Sequence, residues 1–361
     1  MALPPSFFGG EPSEVKMSNT NFPTIPDDLV IRDSVFYDLR RRAITITDSD
    51  YAINLFINSS SFFNVSSTTS YGAIYVSVQG NIYIKQVCFN LCQASSSYQI
   101  GRLSSGNTKY NGMEMSTITN CIRNSASYTI HLQNGITDCI GINLSYCITT
   151  GSYMGLTLDP KWRISLNFST FANNTGGQNC ITINLGTNSN NEFNYIIYVS
   201  NQMNSNDHHN FCLSGQGNIL MSNCNFQNNT GHLLYKLGGT SSFGRVTLVN
   251  CFIAHHSTTH VTTTHPSGFF LIHTNVGGNV HVNTIIITRG IITDIPQILH
   301  LNTWFCEAQY TNSLQIDPTE NIPSPAQTMP NSPTECVFES QVEPQSMRLI
   351  SSLGFLSILI T

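Results

Sequence analysis

The sequence predicts an all-β solenoid, a single-stranded parallel β-helix of about ten coils, and three observations carry that expectation. A phrase recurs about every 26 residues: an apolar run, Phe or Cys beside Asn, a small-polar turn, then a second short apolar run. It stands at 60-SFFNVSS-66, 87-VCFNLCQ-93, 119-TNCIRNS-125, 145-SYCITTG-151, 169-STFANNTGG-177, 223-NCNFQNNTG-231 and 250-NCFIAHHS-257. Repeats of this length mark solenoids, in which each unit buries its apolar face only against its neighbours. The apolar runs are short and bounded by Gly, Asn or Ser, which favours strands over helices. The composition agrees, because Asn, Ser and Thr prefer turns while Val, Ile, Thr, Phe and Tyr prefer strands.

Each coil is expected to hold up to three strands. One set precedes the anchors: 53-INLFIN, 81-NIYIKQV, 163-RISLNF, 218-NILMSN, 244-GRVTLVN and 280-VHVNTIII. A second follows them: 43-AITIT, 72-GAIYVSV, 128-YTIHL, 154-MGLTL, 180-CITINL, 232-HLLYKL, 268-GFFLIH and 297-QILHL. The anchors Phe63, Phe89, Phe171, Phe226 and Phe252 are expected to stack in one interior. Two gaps, Phe89 to Cys121 and Phe171 to Met203, stretch to 32 residues, as if a turn had grown. Asn64, Asn90, Asn120, Asn223 and Asn250, at or next to the anchors, would stack as a hydrogen-bonded ladder. Cys88, Cys121, Cys147, Cys224 and Cys251 sit where other repeats carry Phe, so they read as small buried hydrophobes rather than a disulfide framework.

Four regions follow from the composition. Residues 1–30 read as a lead-in or cap, and 31–305 as the solenoid, where prolines are rare because paired strands need their N–H groups. Residues 306–346 are a Pro-, Ser- and Thr-rich stalk or linker. Residues 347–361 form an apolar stub, too short to span a bilayer and read as a membrane-association element. The start, MALPPSFFGGEP, lacks the basic and apolar regions of a standard signal peptide.

The repeat resembles that of the chlamydial polymorphic membrane proteins, whose coils carry GGAI and FxxN tetrapeptides. Here 71-YGAIYV matches the first, and 171-FANN, 226-FQNN and the looser 63-FNVS and 89-FNLC match the second. It is similar, too, to the Cys-, Asn- and Ser-rich β-helix surface proteins of trichomonad protists. The resemblance covers residues 31–305. It implies a right-handed parallel β-helix and a surface or adhesive role, with host or matrix glycans or cell-surface proteins as partners.

The charge pattern excludes nucleic-acid binding: charged residues are 10% of the 361, and the net charge is −5. No cofactor motif is present. Carboxylates in the solenoid are few and dispersed over different coils, none recurring at the repeat period. The best cluster for a carbohydrate-active enzyme is Asp159, Lys161 and Arg163, followed by Asp207 in 207-DHH-209. His209, His232 and His255 are spaced by 23, near one coil, and form the best candidate metal set. Asn-x-Ser/Thr acceptor motifs for N-glycosylation occur at Asn58, Asn64, Asn143, Asn167, Asn173 and Asn228. The leading expectation is a non-enzymatic cell-surface or secreted β-helix protein with an adhesin-like or shielding role. The alternatives are a polysaccharide lyase or glycoside hydrolase, and a fragment of a larger surface protein.

Overall fold

Apolar residues at every second position make strands with one face to hide. A coil hides it by stacking on the coil before and after, so all pairing is parallel. The computed structural model describes residues 13–15, 28–48, 52–123, 128–149, 153–177, 179–185, 190–204, 209–215, 217–237, 245–254, 261–263, 269–276 and 285–288. The expected stalk 306–346 and apolar stub 347–361 lie outside them.

The protein is an all-β parallel β-solenoid. One turn shows the plan: Leu55–Asn58 enters the first sheet, Ser61–Phe63 the second and Ile74–Val78 the third, with Ser66–Ser67 on the way. The three long sheets hold 12, 10 and 9 strands. Seven turns, from the one starting at Leu55 to the one starting at Asn218, have paired strands above and below in all three sheets. Among the described residues the fully supported body is thus about seven turns rather than ten. The first sheet starts inside the expected lead-in, where Ser13–Val15 pairs with Leu29–Arg32.

Register corrects the anchors. The innermost column of the second sheet is Phe36, Phe62, Phe89, Ile118, Leu144, Phe171, Tyr198, Phe226 and Ile253, at steps of 26 to 29 residues. Phe89, Phe171 and Phe226 are buried in it as expected. Phe63 and Phe252 are half-exposed, each one position out of phase with a buried neighbour, Phe62 and Ile253. The side-chain period of two explains the difference: a shift of one residue turns an aromatic ring from the inside to the outside. The 32-residue gaps vanish with it, since Ile118 and Tyr198, not Cys121 and Met203, continue the column. Rings stack directly along it, Phe36 on Phe62 at 4.8 Å and Phe62 on Phe89 at 4.9 Å.

The expected strand segments that fall on described residues are largely found, with two kinds of exception, and 297-QILHL lies outside the described residues. 268-GFFLIH joins the first sheet as Phe269–Ile272 rather than the third. Tyr98–Ser104, Tyr110–Glu114, Asn190–Asn194 and His209–Gly215 are strands that the apolar runs did not mark. Their inner positions include Gly101, Asn111 and Asn191, small or polar residues that break the hydrophobic pattern. Buried Asn111 and Asn191 are tolerated because their amides donate to backbone carbonyls, Asn111 to Leu103 and Asn191 to Asn218.

Two corners bound the second sheet, and each is a single residue in the left-handed region. Met115, Phe168 and Asn223 stand at the entry corner, and Asn64, Asn120 and Asn173 at the exit corner, all with φ of 47° to 55°. The expected Asn ladder is therefore split. Asn64 and Asn120 belong to the exit corner, Asn223 and Asn250 to the entry corner, and Asn90 to a strand. A deeper ladder lies one residue past the exit corner, where the FxxN phrase ends. Asn174 Nδ2 donates to Asn201 Oδ1 at 2.8 Å, and Asn201 Nδ2 to Asn229 Oδ1 at 3.0 Å. The same amides donate to the carbonyls of Leu144, Phe171 and Tyr198. Earlier turns fill this position with Val65, Cys92, Cys121 and Cys147, all buried.

The cysteines divide as well. Among the described residues eight are buried and free, including Cys121, Cys147, Cys224 and Cys251. Cys88 differs: it is half-buried on the outward side of the second sheet and disulfide-bonded.

Phe226→Ala is expected to lower unfolding free energy by about 3–5 kcal/mol, and Phe63→Ala by about 1 kcal/mol. Urea unfolding of the full chain followed by circular dichroism measures both. Equal losses would place Phe63 inside and contradict the register.

Candidate functional site

The residues expected to form a catalytic cluster are not brought together. Asp159 ends a strand of the third sheet, with its pKa raised by burial against the opposing effect of Lys161. Lys161 is exposed in the connection that follows. Arg163 turns away to Asp138, 3.7 Å distant, on the first sheet. Asp207 lies outside the described residues. His209 and His232 are register partners in the third sheet, and His255 lies outside the described residues. Among the described residues no group of three or more His, Cys, Asp or Glu is placed to hold a metal ion.

A different charged cluster is assembled on the outward side of the first sheet. Tyr83, Gly112 and Asp138 are register partners on three successive turns, and Lys85, Glu114 and Ile140 stand two residues further along the same strands. The Tyr83 hydroxyl donates to Glu114 Oε2, and Lys85 Nζ lies 3.2 Å from Glu114 Oε1. Gly112 leaves room for the Tyr110 ring, and a Cβ there would stand 2.2 Å from Tyr110 Cε1. Burial raises the pKa of Tyr83, helped by its bond to Glu114. Burial also raises that of Tyr110, helped by Asp138. The Asp138 carboxyl is pushed up by burial and partly held down by Arg163. Glu114 and Asp138 are thus two carboxylates on adjacent turns of one face. They sit 24 residues apart in sequence, short of the repeat, and only register shows them to be diagonal neighbours. The cluster is closed, however: Tyr83 is 5% exposed and Glu114 6%. Glu114 is engaged by Tyr83 and Lys85, and Asp138 faces Arg163. It joins four turns, from Lys85 to Arg163.

Aromatic residues take a second form outside the core. On the third sheet Tyr71 stacks on Tyr98 at 5.3 Å, and Tyr98 on Tyr128 at 5.1 Å. Tyr75 stacks on Tyr71 at 4.1 Å, and Arg42 lies 5.6 Å over the Tyr75 ring. His131 packs beside both Tyr98 and Tyr128, with Nδ1 3.3 Å from the Tyr98 hydroxyl. In this ladder the ring faces cover one another. A separate set of large apolar side chains is exposed at the corners, with Met115, Phe168 and Tyr195 on the entry corner and Tyr146 on the exit corner.

The six acceptor motifs are sorted by the same corners. Asn173 and Asn228 are exposed exit-corner residues beside the buried Asn174 and Asn229. Asn64 occupies the same corner, half-buried and bonded to Asp38 Oδ1 at 2.6 Å. Asn58 and Asn167 end first-sheet strands, half-buried. Asn143 is buried, in a strand whose three residues are all covered.

Fold and surface define the chain as a β-helix repeat protein. No protein-family model matches it, and no curated protein or solved structure does either.

Burial lowers the pKa of His131 to about 4, with a further contribution from Arg102, and Nε2 has no hydrogen-bond partner. A neutral His131 thus supports the fold fully above its unfolded pKa of about 6.5, and that support is lost as pH falls toward 4. His131→Phe, which keeps a ring against the tyrosines, is expected to flatten the stability loss over this window by on the order of 1–3 kcal/mol. Urea midpoints at pH 7, 5.5 and 4 measure it; identical pH slopes in both proteins would refute the assignment. When the chain is expressed behind an added secretion signal in a glycosylating host, peptide mass spectrometry is expected to find glycan on Asn173 and Asn228. Asn143 is expected to be bare, and glycan there would contradict the burial of its strand.

Proposed function

We propose that this protein is a non-enzymatic binding rod, displayed at the cell surface or secreted, with an adhesin-like role toward glycans of a host or matrix. The reading draws on its resemblance to the β-helix surface proteins named above. The observation that carries it is the contrast between the two outer features. The carboxylates are sealed by their own partners, while Met115, Phe168 and Tyr195 are exposed in line along one corner. Exposed apolar groups rimmed by polar residues are the usual mark of an interaction surface. A rod with few charges and many Asn, Ser and Thr side chains meets neutral hydroxyl-rich ligands with little desolvation of ions.

A carbohydrate-active enzyme is the second reading, favoured by the Glu114–Asp138 pair alone. Incubating the full chain with neutral and uronate polysaccharides separates the two. Retention of the protein by polysaccharide is expected, without release of reducing ends or unsaturated products, and Asp138→Asn is expected to leave retention unchanged. Product release abolished by Asp138→Asn would replace the binding rod with the enzyme.

A further inference from the structure

Four consecutive turns place Met115, Gly141, Phe168 and Tyr195 at the entry corner of the second sheet. Their N–H groups bond in series to Ile140, Asn167, Asn194 and Ser222 carbonyls of the next turn, at 2.8 to 3.0 Å. The four levels are therefore about 4.8 Å apart. Phe168 and Tyr195 use this spacing to stack, with ring centroids 4.9 Å apart and planes 5° from parallel. The next level down has no side chain, because it is Gly141. Below that stands Met115.

The stack thus has a missing rung. One face of Phe168 is covered by Tyr195, and the other looks across the Gly141 level toward Met115. A Cβ built on Gly141 would find Met115 atoms as its three nearest neighbours, at 3.6 to 3.7 Å, which is ordinary contact. Phe168 and Met115 arise two levels apart, about 9.6 Å along the axis, and Met115 Cγ comes to 3.7 Å from the Gly141 Cβ position, forming the floor of the gap. The C–H face of a puckered six-membered ring laid on Phe168 suits both the ring above and the methionine below.

The rim says which kind of ring. Asn167 and Asn194 precede Phe168 and Tyr195 on the outward side of the first sheet. Asn194 Nδ2 donates to Asn167 Oδ1 at 3.0 Å, and Asn167 Nδ2 to Ser165 Oγ at 2.6 Å. These are neutral amides with acceptor and donor capacity left over, suited to hydroxyls. Glu114, which precedes Met115, is buried and paired with Lys85, and the exposed Glu192 stands two residues before Asn194 on the same face, further along the strand from the corner.

Backbone conformation adds a further argument. Met115, Phe168 and Tyr195 hold φ of 47°, 52° and 56°, a region that bulky side chains enter at a cost. Ser59 and Asn223 serve the same corner in other turns without large apolar groups. Nothing in the fold of the corner requires exposed rings at 48% and 40% or a methionine at 57%. Strain carried by exposed residues is a reason to look for a ligand.

We propose that the gap over Gly141 is a sugar-binding slot, in which one neutral hexopyranose unit of a polysaccharide stacks between Phe168 and Met115 with its hydroxyls toward Asn167 and Asn194. The proposal rests on the binding-rod reading and gives it a site.

Native gels containing single soluble neutral polysaccharides (glucan, mannan, galactan) test it with the full chain. Gly141→Phe places a ring in the slot at a corner where Phe168 and Tyr195 already hold rings. Phe168→Asn removes one wall and leaves a residue suited to positive φ, as Asn223 is. Wild type is expected to be retarded by at least one of these polymers, unchanged by added salt, and each variant to bind about tenfold more weakly with its circular dichroism unaltered. Retardation that survives in both variants overturns the slot while leaving the binding rod standing. Absence of retardation by every neutral polymer overturns the slot, and absence of binding to uronate polymers and to glycan-coated surfaces as well overturns the rod. A change of oligomeric state in Gly141→Phe, without loss of sugar binding, assigns the corner to a second copy instead.

Discussion

Each turn enters the second sheet through one residue with φ near +50° and leaves it through another. At both corners the residue's N–H bonds the carbonyl of the neighbouring turn, so the hydrogen-bond ladder runs round the bend without a break. A single left-handed residue turns the chain sharply and keeps the inward–outward alternation in phase on either side. Phe62, Phe89 and their successors then fall above one another, and so do the apolar pairs of the first and third sheets. Close ring stacking and a continuous core follow from that alignment. Gly176 shows how tight it is: a Cβ there would lie 1.5 Å from the Thr149 carbonyl oxygen, at a φ of +120°.

The same stacking governs the polar groups. A buried amide is costly unless its donors and acceptors find partners, and a repeat offers the identical group one level away. Asn174, Asn201 and Asn229 satisfy each other and the turn carbonyls. In earlier turns Val65 fills the same place by volume, and Cys92, Cys121 and Cys147 add weak S–H bonds to backbone carbonyls. Charges obey the rule in miniature. Lys85, Glu114, Asp138 and Arg163 come from four turns and reach one another only because the turns are in register. The closed cluster they form binds strands together, and the accessible chemistry is left to the corners, where side chains point into solvent.

Much of the fold was legible. The 26-residue phrase, short apolar runs and scarce prolines imply a parallel solenoid whatever the details, because no other arrangement buries so many short strands of one period. What escaped was phase. Phe62-Phe63, Cys251-Phe252 and Asn173-Asn174 are adjacent like residues of which only one faces in, and side-chain type does not say which. Strands with Gly101, Asn111 or Asn191 at inner positions were missed for the same reason, since their burial depends on backbone partners from other turns.

The candidate site was less legible than the fold. The Asp159–Lys161–Arg163 run looked like a cluster because its members are close in sequence, yet Arg163 lies on the far side of a bend and meets Asp138. Glu114 and Asp138 looked unrelated at a spacing of 24. The exposed row of Met115, Phe168 and Tyr195 carried no signal in a chain with many aromatic residues. By itself the sequence determined the class of fold, because periodicity in hydrophobic residues follows from the need of each turn to hide one face. Which side chains lie inside, which charges meet and which rings stand exposed was decided only by the tertiary structure. Those outcomes turn on register between turns, a relation set by corner geometry and long-range hydrogen bonds that a local run of residues does not contain.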